Sequence, residues 1–201
     1  MPNASTRERI VETADDLFYR RGYAHTSFAD IAAAVQISRG NFYYYFKMKD
    51  EILAAVIDLR LARTRVMLEA WEAQGDSPAG RIRCFIDILI ANRAKIMLHG
   101  CPVGTLCAEL AKLDHEALGQ ANAVFTLFRD WLRNQFEALG RAADADALAM
   151  HLLVRSQGVA TLFSACRDAA FLEREVAQMH DWVAEIEAGA DRREIKAPPA
   201  P

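Results

Sequence analysis

Between Ser38 and Lys49 the chain gathers side chains suited to a polyanion: Ser38, Arg39, Asn41, Tyr43, Tyr44, Lys47 and Lys49, with Gly40 among them. Arg39 and Asn41 can donate to base edges or to phosphate oxygens. Tyr43 and Tyr44 offer hydroxyls to phosphates, and Lys47 and Lys49 offer ammonium groups. Gly40 leaves room for a close approach to a groove wall. Ser38 fits the N-cap of the helix that carries these groups, and Ser27 caps the short helix before it and joins the same candidate set. Phe42, Tyr45 and Phe46 alternate with the polar residues and are expected to face inward. Residues 31–49 contain Arg39, Lys47 and Lys49 and no acidic residue. The net charge of the whole chain is −3, so this is a local basic strip and not a basic protein.

A second place where chemistry is possible lies at Gly100-Cys101-Pro102. Proline suits the first position of a helix, which puts Cys101 at the N-cap. There the helix dipole and the free N–H groups favour a thiolate, and Gly100 leaves access. Cys107 follows on the same helix. Some 9 Å of helix rise separates the two, too far for a direct disulfide. The four cysteines show no C-x-x-C pair and no disulfide framework. His99, Cys101, Cys107 and His115 match no standard metal spacing, so neither a metal nor a cofactor is expected.

The elements that must position these groups read as helices throughout. Ile10, Ala14, Leu17 and Phe18 share one face of a helix over 6–21, ended by Gly22. Short helices over 28–34 and 38–44, with a three-residue turn between them, have helix-turn-helix proportions. A long helix follows Lys49, with Ile52, Leu53, Val56 and Ile57 inward and Arg60, Arg63 and Arg65 toward solvent or DNA. Ser77-Pro78 starts another helix. Further apolar stripes mark helices after Pro102 and over 116–139, 145–168 and 172–188. From Gly189 on, the small, charged and proline-rich composition reads as a disordered tail. About nine helices result, in an all-α fold. Residues 1–48 form a small domain whose helix-turn-helix spans 28–47, and 49–188 form a larger helical domain.

Thr26-Ser27, Asp30-Ile31-Ala32, Ile37-Ser38-Arg39-Gly40, Phe42-Tyr43-Tyr44-Tyr45-Phe46 and Lys49-Asp50 fall in the order and spacing of the TetR-family DNA-binding domain. The chain resembles that family over roughly its first 55 residues. Two positions depart from its pattern: Gln36 stands where the turn usually has Gly, and Met48 where a capping Ser, Asn or Asp is usual. The resemblance implies a homodimeric transcriptional repressor that binds a double-stranded DNA operator and is released by a small-molecule effector. The larger domain would then sense the effector and dimerise. Phe85, Leu89, Phe125, Phe128, Trp131 and Phe163 could line an effector cavity, or they could form a plain packed core; spacing alone does not separate the two. The stretch Gly100–Leu110 is also similar to a branch of the family in which some members sense electrophiles or acrylate-like molecules, which would make Cys101 a sensor thiol.

Other classes have less in the sequence to support them. No phosphate-cradling glycine loop, H-E-x-x-H or G-x-S-x-G is present, so an enzyme is not expected. No apolar run has the length of a membrane span and the N-terminus lacks the pattern of a signal peptide, which points to the cytoplasm. The alternative reading is a helical protein-interaction adaptor that has lost DNA binding, for which Gln36 and Met48 are the only hints.

Overall fold

The computed structural model describes residues 5–194, with the side chains of Arg39 and of residues beyond Gly189 outside that description. Among the described residues there are ten helices and no strand: α1 (Thr6–Arg21), α2 (Phe28–Val35), α3 (Arg39–Tyr45), α4 (Lys49–Gln74), α5 (Pro78–Ala91), α6 (Arg93–His99), α7 (Pro102–Lys112), α8 (Leu118–Ala138), α9 (Ala145–Cys166) and α10 (Ala169–Glu194). The sequence suggested one helix where α5 and α6 stand. They part at Asn92, whose backbone N–H still donates to Ile88 O while its own geometry leaves the helical range. The last helix runs past Gly189 to Glu194, beyond the end suggested by composition, and residues 195–201 of the expected tail lie outside the described residues.

The chain divides into two compact units. One holds the residues up to Arg65 together with Pro102–Phe125; the other holds Val66–Cys101 and the chain from Thr126 on. The first unit is therefore larger than a three-helix head, because it takes in α7 and the start of α8. Its core joins Ile10, Ala14 and Phe18 of α1, Ile31 and Val35 of α2, Phe42 of α3, Ile52, Leu53 and Val56 of α4, and Leu106 and Leu110 of α7. Burying such aliphatic and aromatic side chains contributes roughly 1.5–3 kcal/mol each, which is what fixes these short helices.

Local signals set the boundaries. Ser5 and Glu8 form a capping box at α1, and Ser27 and Asp30 form one at α2. The hydrogen bonds from Ser27 hold the Asp30 carboxyl below its ordinary 3.8, helped by nearby Arg21. Ser38 Oγ accepts from Asn41 N at 3.3 Å and starts α3. At α4 the expected cap is missing, and Glu51 covers part of it: its carboxylate accepts Lys47 N at 2.7 Å and Met48 N at 3.4 Å.

In the second unit, Ile82, Phe85, Ile86 and Leu89 of α5 are buried, as are Leu132 and Phe136 of α8, Leu152 and Phe163 of α9, and Leu172, Val176, Met179 and Val183 of α10. Polar ties cross it as well. Arg83 donates to Glu187 at 2.9 Å, His180 Nε2 lies 2.8 Å from Asp87 Oδ1, and Arg129 holds Asp146 with two bonds of 2.7 and 2.6 Å.

Candidate nucleic-acid interface

Helix α3 presents two unlike faces. Phe42 and Phe46, beside its C-terminus, are buried, while Gly40, Asn41, Tyr43, Tyr44 and Lys47 are exposed. Tyr44 is the extreme case at 77% exposure, its ring meeting only Tyr45 edge-on at 5.1 Å among the ring contacts of the described residues. Tyr43 lies against Phe28, stacked at 5.6 Å, which steadies its ring while the residue stays exposed. Ser27 and Ser38 are exposed at the two caps. A Cβ at Gly40 would meet nothing within 4 Å, so this glycine lies open to whatever approaches α3.

The two lysines differ. Lys47 is exposed and its ammonium reaches back to the carbonyl of Tyr43. Lys49 is half-buried: Nζ donates to Tyr23 O at 3.0 Å and sits 4.0 Å from the centre of the Tyr23 ring. Its charge serves the inside of the unit first. Arg60, expected outward, is turned inward. Nε donates to Asp15 at 2.7 Å and a terminal N–H to Pro102 O at 2.6 Å, with its side chain 10% exposed. Arg63 pairs with Glu12 and Asp15 yet remains exposed, and Arg65 is exposed too, so two of the three arginines face outward as expected.

The turn before α3 is strained at the position where the family the chain resembles usually has glycine. Gln36 sits at φ 60°, ψ 45°, in the left-handed region, and its N–H donates to Ala33 O. For an L-residue this costs roughly 1–2 kcal/mol. Arg9 offsets part of that locally, donating to Val35 O at 3.0 Å where α2 ends.

The residues suggested for an effector cavity are mostly core. Phe85, Leu89, Phe128, Trp131 and Phe163 are buried and Phe125 is half-buried; the Phe85 and Phe128 rings meet edge-on at 5.5 Å. Trp131 packs at 5.5 Å from Trp71, and its Nε1 is the one buried side-chain polar atom without a partner among the described residues. A separate small cavity in the first unit is lined by Ile57, Arg60, Val103, Leu106, Cys107, Ala121 and Val124. Cys107 thus lines a hollow that sequence reasoning did not locate. Cys101, half-buried, directly precedes α7 as expected. No group of three possible metal ligands occurs among the described residues, and none of the described helices is long and apolar enough to cross a membrane.

Two short helices at a tight turn, with a polar exposed face on the second, define a helix-turn-helix protein. Residues 10–56 match the bacterial regulatory proteins of the tetR family. A helix-turn-helix regulator in the lacX 3′ region of Lactococcus lactis subsp. lactis is 30% identical over 173 residues, 84% of this chain and 88% of that protein. The HTH-type transcriptional repressor Rv3405c of Mycobacterium tuberculosis is 36% identical over 98 residues, 48% of this chain and 49% of its own. Among solved structures, a TetR transcriptional regulator from Legionella pneumophila superposes with a TM-score of 0.79 at 26% identity, covering 90% of this chain and 98% of that one. The chain belongs to the tetR family of transcriptional regulators, which are DNA-binding transcription factors and not enzymes.

Proposed function

We propose that this regulator is a repressor that binds a palindromic operator as a homodimer and is released by a small-molecule or electrophilic effector. The observation that carries DNA reading is the division of α3: Phe42 and Phe46 anchor it, and Asn41, Tyr43, Tyr44 and Lys47 are exposed. In this reading Arg39 and Asn41 donate to base edges. Ser27, Ser38, Tyr43, Tyr44 and Lys47 contact phosphates, Gly40 allows close approach, and Lys49 contributes mainly through the site it braces. Repression is supported by the likeness to a mycobacterial repressor.

Support for the homodimer comes from α9. Met150, Val154 and Leu162 are exposed at four-residue intervals with Gly158 between them, an apolar stripe on one helix face. A second copy covering it would place two heads on successive major-groove faces, about 34–36 Å apart or a multiple of that. The unpaired N–H of Trp131, a buried residue packed against the half-buried Trp71, supports an effector that carries a hydrogen-bond acceptor. For an electrophilic effector such as an acrylate-like molecule, the sulfur of Cys101 would bond to the β-carbon and the thiol proton would end on the α-carbon. A coupling of about 1–3 kcal/mol between effector and DNA suffices for release.

Selection from a randomised duplex library, in the presence of non-specific competitor, tests the proposal. A repressor of this kind enriches a two-fold symmetric sequence. Enrichment of no sequence overturns it.

A further inference from the structure

We propose that Glu109 of α7 is the residue through which the rest of the chain controls the reading head. Its carboxylate accepts two backbone N–H groups of the α1–α2 turn, Tyr23 N and Ala24 N, each at 2.8 Å. The contact spans more than eighty residues of sequence, and the receiving turn sets how α2 and α3 leave α1. Two N–H donors on one ionised carboxylate make a charge-assisted pair, about twice as strong as neutral hydrogen bonds.

The turn is shaped for this visitor. Gly22 holds φ +90°, and a Cβ there would come within 2.9 Å of Glu109 Oε1 and 3.1 Å of Oε2. The position therefore needs glycine for its backbone conformation and again for the closeness of the carboxylate. Tyr23 is gripped from other sides too. Its hydroxyl donates to Asp50 at the start of α4, His115 Nε2 lies 3.3 Å from the same oxygen, and Lys49 holds its carbonyl. Burial, and then the bond to Asp50, push the Tyr23 phenol far above its ordinary 10.0, so it acts as a neutral donor.

Helix α7 is fastened at both ends. Near its start, the Pro102 carbonyl accepts from Arg60, which also pairs with Asp15 of α1. One face of it lines the small cavity through Val103, Leu106 and Cys107, and Glu109 follows two residues after Cys107. A shift of α7 by one or two ångströms would take the carboxylate out of hydrogen-bond range of the turn. Glu109 is thus a positioning residue for α3 that never touches DNA, and release of its grip is the event that lowers operator affinity.

This inference rests on the DNA-reading proposal, and the experiment separates the two. Full-length wild type, Glu109→Gln and Glu109→Ala are compared for affinity to the duplex that wild type selects, for melting temperature, and for hydrogen exchange at the Tyr23 and Ala24 amides. The Gln variant keeps the size of the side chain but sets an NH2 against one of the two donors. The expected result is a loss of operator affinity of about tenfold or more in Gln and a larger loss in Ala. Exchange at Tyr23 and Ala24 should accelerate in both variants, with the Gln variant melting near wild type. Unchanged exchange at these two amides in Gln, or accelerated exchange with unchanged affinity, overturns the control role of Glu109. If Ala fails to fold, Gln alone decides. A wild type that selects no duplex overturns the DNA reading and the control role together, and the exchange result then tests only whether the carboxylate holds the turn.

Discussion

Helix α3 and the aromatic interior around Trp131 are both rich in aromatic residues, and they use them in opposite ways. In α3 the rings split: Phe42 is 1% exposed and Tyr44 is 77% exposed, two positions apart on a seven-residue helix. Trp131 is buried against the half-buried Trp71, Phe85 and Phe128 are buried and meet edge-on, and the indole N–H of Trp131 is left without a partner. Exposed aromatic and amide groups over a buried anchor form a surface made to meet another molecule. A closed apolar interior holds a fold together first, and any ligand must compete with that packing.

The comparison is broken most forcefully at the anchor. Phe42→Ala should cost about 3–5 kcal/mol of stability by emptying the core beneath α3, read as a lower midpoint in urea unfolding. A loss below about 1 kcal/mol would mean that α3 is not anchored as described. Next in size is the turn. Gln36→Gly relieves the left-handed strain and should stabilise the protein by roughly 1 kcal/mol, measured the same way. No gain would show that the turn adapts to glutamine without cost.

The two lysines sharpen the contrast between outward and inward charge. Lys47→Ala should reduce the slope of log affinity against log salt by about one, with stability nearly unchanged. Lys49→Ala should leave that slope closer to wild type and cost about 1 kcal/mol of stability, because its ammonium is spent on Tyr23. Equal slopes for both variants would erase the distinction. The smallest effect is at the α2 cap. The Asp30 carboxyl is held below 3.8 by Ser27, so the stability it provides is complete above that pH and is lost as pH falls through the lower folded value. The difference in melting temperature between wild type and Asp30→Asn should therefore shrink in acid; a constant difference would contradict the capping role.

These two regions were not equally legible in the sequence. The helix caps at Ser27 and Ser38, the buried Phe42 and Phe46 and the exposed Tyr43 and Tyr44 all follow from residue type and three-four spacing, since capping and amphipathicity act within a turn or two. The left-handed Gln36 was suggested only by the glycine usual at that position in the family the chain resembles. What failed concerned partners distant in the chain. Arg60 was placed outward because its helix position allowed it, yet Asp15 and Pro102 draw it in. Lys49 was read only as a phosphate ligand, and its bond to the Tyr23 carbonyl was not foreseen. Glu109 was invisible, an ordinary acidic residue on a short helix; the one hint was the glycine at position 22, which the sequence explained sufficiently as a helix end. The interior around Trp131 stayed ambiguous because residues that line a cavity and residues that fill a core are chosen from the same apolar set. The break at Asn92 also left no periodic signal, since the apolar stripe of α5 runs up to it uninterrupted.

The central claim is that the exposed face of α3 reads DNA. It is tested most directly by replacing Asn41 and Tyr44 together with alanine, both of them exposed and neither packed in the core. Competition between the duplex selected by wild type and random duplex at fixed salt gives the readout. The account predicts that the doubly substituted protein melts like wild type and loses its preference for the selected duplex. A preference as strong as that of wild type would contradict it.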